Sequence, residues 1–254
     1  MKGIVIIPSY NTGAEILIKT VRTVMENWPH VCVAFDGSDD GSDKALEAAL
    51  GPESDVKIIV NHINRGKGAT VLDAARECLE QGFTHVCSFD SDGQHCAADI
   101  AKMFEAASDD GSDFVLGIPQ FGPEAPAERI KGRKVGNGFA SFETLGIGPA
   151  DSLYGMRVYP IVPLLKAMKG PRRGRRYDFD TEAAVRLTWA GLRAINIPTP
   201  VRYPRKEDGG VTHFKYLRDN VLLTFMHTRL LIELPFHLPT LIRERRKLRA
   251  LQTK

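Results

Sequence analysis

Short apolar runs separated by helix-length stretches recur through the first half of the chain. Gly3 to Ile7, Val31 to Phe35, Val56 to Val60, His85 to Phe89 and Phe114 to Ile118 are rich in β-branched and aromatic residues and read as strands. They are continuously apolar instead of alternating, which predicts strands covered on both faces, as in a parallel sheet. Between them Ile16, Leu17, Val21, Val24 and Met25 follow helical spacing, as do Val71, Leu72, Ala75, Cys78 and Leu79. Ala45 to Leu50 and Ile100 to Ala107 make shorter helices. The pattern is a repeated β-α-β unit, whose ligand crevice lies beyond the carboxyl ends of its strands.

The residues at those ends carry chemistry. Pro8-Ser9-Tyr10-Asn11 follows the first strand and Asp36-Gly37-Ser38-Asp39-Asp40-Gly41-Ser42 the second. Asn61 and Asn64-Arg65-Gly66-Lys67-Gly68 follow the third, and Asp90-Ser91-Asp92-Gly93-Gln94-His95 the fourth. Tyr10 offers a ring to stack on a base, Asp36 an acceptor for base or ribose, Lys67 a cation for phosphate, and Asp90 with Asp92 hard oxygens for a divalent cation. Together they describe a metal-dependent nucleotide site.

Each piece also has a plainer reading. Asp36 to Ser42 fits a turn and helix cap, and Asp36, Ser38, Asp40, Gly41 and Glu47 match places of a calcium loop; that loop follows a helix, whereas this segment follows a strand. Gly66-Lys67-Gly68 lacks the glycine and hydroxyl of a P-loop. Gly136-Asn137-Gly138 lacks the third glycine of a dinucleotide fingerprint and reads as a flexible loop near the site. Asp90 and Asp92 could serve a phosphatase with an aspartyl nucleophile, the enzyme alternative. A nucleotidyltransferase would carry a Gly-rich basic loop where the chain has Ser9-Tyr10-Asn11-Thr12-Gly13. A non-catalytic nucleotide-sugar-binding protein would lack an acceptor-side acid such as Asp180.

The four ordered motifs together resemble the inverting family 2 glycosyltransferases, especially the branch of dolichyl- and polyprenyl-phosphate sugar transferases. Asp151-Ser152-Leu153-Tyr154-Gly155-Met156-Arg157, Asp180-Thr181-Glu182 with Arg186 and Gly191, and Thr212-His213-Phe214 with Asp219 resemble the family's second half. The resemblance implies an α/β domain of the GT-A fold over residues 1–214, with a mostly parallel central sheet flanked by helices, and a basic helical tail over residues 215–254. It implies a nucleotide-sugar donor held by Pro8, Tyr10, Asn11, Asp36, Gly66, Lys67, Asp90 and Asp92. Mg²⁺ or Mn²⁺ would sit on Asp90, Asp92 and Gln94, and Asp180 would act as catalytic base. Asp151, Arg157 and His213 would lie on the acceptor side. The acceptor would be a polyprenyl phosphate, or a glycan or lipid hydroxyl; a phosphate acceptor, already anionic, would leave Asp180 a positioning role.

Composition narrows the partners. A net charge of +3 over 254 residues does not suit a nucleic-acid coat, and no nucleic-acid partner is expected. Charge is concentrated instead: Arg243 to Lys254 holds six Lys or Arg against one Glu, a candidate for peripheral contact with an anionic membrane. Lys169 to Arg176 is a second basic stretch, either a solvated loop or a surface for an anionic acceptor. Cys32, Cys78, Cys87 and Cys96 form no Cys-x-x-Cys pair and read as buried thiols of a reducing compartment, which makes the expected location cytoplasmic. Leu230 to Ile242 is short and carries Glu233, Pro235, His237 and Pro239, so no membrane crossing is expected, and the C-terminal region reads as a helical pair packed on the domain.

Overall fold

The computed structural model describes residues 1–122, 127–170, 173–201 and 216–252. The first half alternates β1 (Gly3–Ser9), α1 (Ala14–Asn27), β2 (Val31–Asp36), α2 (Ser42–Leu50), β3 (Lys57–Asn61), α3 (Lys67–Glu80), β4 (His85–Ser88), α4 (Ile100–Ala106) and β5 (Asp113–Phe121). The second half adds α5 (Ala127–Glu143), β6 (Arg157–Pro160), α6 (Ile161–Ala167), α7 (Phe179–Trp189), β7 (Arg193–Val201) and α8 (Tyr216–Gln252). The described strands form one sheet in the order β3-β2-β1-β4-β6-β5-β7. Neighbours run parallel except β6, which is antiparallel to both β4 and β5. The α/β fold with a mostly parallel central sheet is as the sequence implied.

The continuous apolar runs divide by parity into two cores. Val5, Ile7, Val31, Val33 and Phe35 face Leu17, Val21 and Val24 of α1 and Met103 and Phe104 of α4. Ile4, Ile6, Cys32 and Ala34 face Leu72 and Ala75 of α3 and Phe179, Ala183 and Leu187 of α7. Pro8 is tolerated inside a central strand because its missing N–H would point toward β4, whose pairing with β1 stops at Ile6 opposite Ser88.

A third cluster fastens α8 to the body. Met226, Leu230, Leu234 and Leu241 pack with Ala140 of α5 and Val185 and Trp189 of α7. Arg186 donates to Glu233 Oε2 at 2.7 Å and Oε1 at 3.0 Å and to Glu182 Oε1 at 2.5 Å. Arg229 also bonds Glu182, His227 Nδ1 pairs with Glu143 Oε1 at 2.8 Å, and the rings of Trp189 and His237 stack at 4.2 Å.

Two expectations are corrected here. The C-terminal region is one helix of 37 residues instead of a pair, with Pro235 and Pro239 inside it; buried Met226, Leu230, Leu234 and Leu241, with half-buried Leu238 between the last two, pack on the body on both sides of the prolines. By length and composition alone this helix is long and apolar enough to cross a membrane. Gly136-Asn137-Gly138 is not a loop: it lies within α5, where Asn137 bonds Asp151 and Ser152. The thiols are free, with Cys32, Cys78 and Cys87 buried and Cys96 only partly so.

Candidate active site

The carboxyl ends of β1, β2 and β3 are tied together by side chains of their own loops. Asn11 Nδ2 donates to Asp39 Oδ1 at 2.7 Å while the Asp39 N–H donates to Asn11 Oδ1 at 3.0 Å. This reciprocal pair holds Asn11 at a φ of 45°, a left-handed conformation that asparagine tolerates. Asp40 accepts the Gly13 N–H at 2.9 Å and the Ser42 hydroxyl at 2.6 Å. Burial opposes its ionisation, but these bonds hold its carboxyl below the usual range. The calcium-loop assignment does not hold: Asp36 to Leu50 is strand, turn and helix. Tyr10 stands 37% exposed at the rim, whereas Pro8 is buried within β1.

Asp36 is buried, and its oxygens accept the backbone N–H groups of Arg65 and Gly66, each at 2.7 Å. It therefore shapes the loop that presents Lys67. Gly66 has a φ of +97°, and a β-carbon there would lie 2.5 Å from the Arg175 carbonyl oxygen. The Ala69 N–H donates to that same oxygen at 3.1 Å, and Arg176 Nη1 donates to Asn64 Oδ1 at 2.8 Å. Residues 173–176 of the second basic stretch thus dock on the start of α3 instead of forming a solvated loop.

Lys67 opens α3, where the helix dipole disfavours a cation. Two carboxylates compensate: Lys67 Nζ lies 2.6 Å from Asp90 Oδ1 and 2.8 Å from Asp180 Oδ2. Burial opposes the ammonium, yet the charges of Asp180 and Asp90 hold its pKa above the ordinary lysine value. Asp90 is also bonded by His95 Nε2 at 3.1 Å. Burial disfavours its charge too, but Lys67 and His95 keep the carboxyl below the usual range. Asp92 accepts the Gln94 N–H at 3.0 Å, and burial together with the Asp90 charge pushes its carboxyl up. Asp180, near the start of α7, is buried; its Oδ1 has no hydrogen-bond partner among the described residues.

A cavity of about 70 Å³ lies beside the acidic pair, lined by Asp90, Asp92, Gln94, His95, Arg133 and Gly155 among others. Two carboxylates and an amide oxygen are hard donors suited to Mg²⁺ or Mn²⁺, and the unfavourable Asp92 charge is one a cation would relieve. Among the described residues no group of three or more His, Cys, Asp or Glu makes a ready-made metal site.

Two residues expected on the acceptor side are buried and bonded within the fold. Arg157 is fully buried; it donates to the Tyr154 carbonyl at 2.6 Å, to the Tyr159 hydroxyl at 3.4 Å and to the carbonyls of Asp151 and Asp180. Asp151 is buried and saturated by Arg133 Nε at 2.9 Å, Arg133 Nη2 at 2.7 Å and the N–H groups of Leu153 and Tyr154. Thr212, His213 and Phe214 lie outside the described residues. The site gains His95, Arg133 and Gly155, which sequence reasoning did not assign. His95 sits in the quoted acidic motif, its ring 4.5 Å from Tyr154 and 5.3 Å from Phe89.

The fold is found in solved nucleotide-sugar transferases. Glucosyl-3-phosphoglycerate synthase of Mycobacterium tuberculosis, in complex with Mn²⁺, UDP-glucose and glycerol 3-phosphate, superposes with a TM-score of 0.60 at 13% identity, over 93% of this chain and 79% of that one. A mannosyltransferase of Pyrobaculum calidifontis in complex with GDP-mannose and Mn²⁺ gives 0.60 at 17% identity, over 98% of this chain and 75% of that one. This is the architecture of the GT-A glycosyltransferases. The family model for glycosyl transferase family 2 matches residues 4–161, and the chain belongs to that family. A UDP-N-acetylglucosamine–dolichyl-phosphate N-acetylglucosaminyltransferase of Methanococcus voltae is 29% identical over 215 residues, covering 78% of this chain and 84% of the relative. Family membership displaces the phosphatase and nucleotidyltransferase readings, and Asp90, gripped by Lys67 and His95, is poorly placed to attack phosphorus.

Proposed function

We propose that the chain is an inverting, metal-dependent transferase that moves a sugar from a nucleoside-diphosphate donor to a polyprenyl phosphate at the cytoplasmic side of a membrane. A UDP-activated N-acetylhexosamine is the first donor to test, by analogy with the Methanococcus relative. Residues 1–214 would hold the chemistry and residues 215–254 a helical extension. The observation that carries the reading is the Lys67 bridge, which joins the acidic motif after β4 to the acceptor-side Asp180 at one point.

Tyr10 would stack on the base, with Asn11 and Asp36 setting the loops around it. Asp90, Asp92 and Gln94 would hold Mg²⁺ or Mn²⁺, which when bound neutralises charge developing on the departing diphosphate. One direct displacement at the anomeric carbon inverts its configuration. A phosphate oxygen is already anionic and needs no proton removed, so Asp180 would orient Lys67 against the donor. A hydroxyl acceptor would instead use Asp180 Oδ1, the unpartnered oxygen, as general base.

The test is transfer of labelled N-acetylglucosamine from its UDP derivative to polyprenyl phosphate by the full chain, with and without Mn²⁺. Metal-dependent passage of label into the organic phase, with inverted configuration by NMR, is the expected result. Failure with UDP- and GDP-sugars alike, from folded protein that binds neither nucleotide in calorimetry, overturns the reading.

A further inference from the structure

Two helices expose aromatic faces that no other part of the described protein covers. On α5, Val135 and Phe142 are 63% and 62% exposed and share one side of the helix with Phe139. The opposite side carries Arg133 and Asn137, which bond Asp151 at the edge of the catalytic cavity. On α8, Phe225, Ile232 and Phe236 are 71%, 70% and 83% exposed and fall on one stripe, spaced by seven and four residues. That stripe lies opposite the buried row of Met226, Leu230 and Leu234. The helices touch through Phe139 and His227, whose rings are 5.0 Å apart.

We propose that the outer faces of α5 and α8 form a platform that lies in the interface of an anionic lipid bilayer, a step that rests on the polyprenyl-phosphate reading above. Singly exposed apolar residues are ordinary, but two aromatic stripes on contacting helices are the pattern of an interfacial surface. Charge names the partner. Downstream of the α8 stripe come Arg243, Arg245, Arg246, Lys247 and Arg249 with only Glu244 against them, complementary to anionic headgroups. A second copy fits less well, because a two-fold pairing across this face would set two such basic segments on one interface.

The helix lies along the membrane and does not cross it. Its inner row is packed on α5 and α7, and Arg186 grips Glu233 with both terminal nitrogens. A crossing would strip these groups into lipid. The arrangement gives the acceptor its route: α5 has its outer face in the headgroups and its inner face at the catalytic cavity.

The test is flotation of the full chain with vesicles of phosphatidylcholine alone or with added phosphatidylglycerol. The expected results are binding to the anionic vesicles, release on the order of 1 M salt or in alkaline carbonate, and about a tenfold or greater loss of binding in the triple variant F225S/I232S/F236S. Melting curves and UDP binding establish that this variant is folded, and Phe142→Ser, on the other helix, gives an independent reading. Wild-type protein that ignores anionic vesicles overturns the proposal, as does a triple variant that binds like wild type, a chain that carbonate cannot extract, or a soluble dimer that the triple variant dissociates. Transfer to a short-chain, water-soluble polyprenyl phosphate separates the two readings. If that transfer persists while vesicle binding is absent in wild type, the platform falls and the reaction stands. If vesicles bind and no acceptor is glycosylated, the platform stands and the reaction falls.

Discussion

Gly155 lies against Asp90 so closely that a β-carbon on it would collide with the Asp90 carboxylate and approach Lys67 Nζ at 2.7 Å. The glycine is required by contact, since its backbone forms the wall that keeps the carboxylate and the ammonium together. A methyl group would push Asp90 off Lys67 without adding or removing charge. We expect Gly155→Ala to lower kcat/KM by about 10²-fold, the cost of a displacement near 1 Å in a positioned site. The melting temperature should move by no more than a few degrees. Steady-state kinetics and a thermal melt check this; wild-type kinetics would mean that the Asp90–Lys67 distance does not govern the reaction.

Asp92 holds a proton more tightly in the fold than in the unfolded chain, because it is partly desolvated and lies beside the Asp90 charge. For a carboxyl with a raised pKa, the favourable contribution is present below the unfolded value of about 3.9 and is lost as pH rises through the folded value. At neutral pH its ionisation therefore weighs against the metal-free fold. Asp92→Asn should raise the melting temperature at pH 7 by about 2–4 °C. The gain should fade as the pH falls toward 4, where wild type and variant converge. Mn²⁺ should stabilise wild type and leave the variant unmoved, and the variant should lose metal-dependent transfer. A lower melting temperature for Asp92→Asn at pH 7 without metal would refute this account of the acidic pair.

Arg157 holds carbonyls of Asp151, Tyr154 and Asp180 from a fully buried position. Arg157→Met would strand these groups, and each buried unsatisfied carbonyl costs about 1–3 kcal/mol. The unfolding free energy should drop by about 3 kcal/mol or more, measured by urea denaturation. A residue that merely met the acceptor would weaken turnover and leave the denaturation midpoint where it was.

What the sequence revealed and what it hid follow from how each element is buried. β1, β2 and β4 were legible because both faces are covered, which leaves unbroken apolar runs. β7 was not: Arg193–Val201 carries Pro198 and Pro200, acceptable only because it is an edge strand, paired on one side with β5. β6 is four residues long and includes Arg157, a charge no strand pattern anticipates. In α8 the two prolines read as breaks, whereas the helix runs through them and packs on the body on both sides. The site divides in the same way. Tyr10, Asp36, Lys67 and Asp90 stand at or just beyond strand ends, where topology alone directs attention. Gly155 and Arg133 matter through contacts with residues distant in sequence, which periodicity cannot register. Arg157 matched a motif, but a match says nothing about whether a guanidinium faces the cavity or the core.

Asp180 offers the sharpest test of the acceptor, because its two oxygens have different fates. Oδ2 is bound to Lys67 at 2.8 Å and Oδ1 is buried without a partner among the described residues. Asp180→Asn keeps the shape and removes the charge. With a phosphate acceptor, which brings its own negative charge, the loss should be confined to a looser Lys67, about tenfold in kcat. Donor affinity should be unchanged. With a hydroxyl acceptor the same variant removes the general base, and the loss should reach about 10²–10⁴-fold. Running both acceptors on one preparation separates the cases internally: a loss at least tenfold greater for the hydroxyl assigns the proton to Oδ1. Equal losses would give Asp180 a single role, holding Lys67 in place whichever nucleophile arrives.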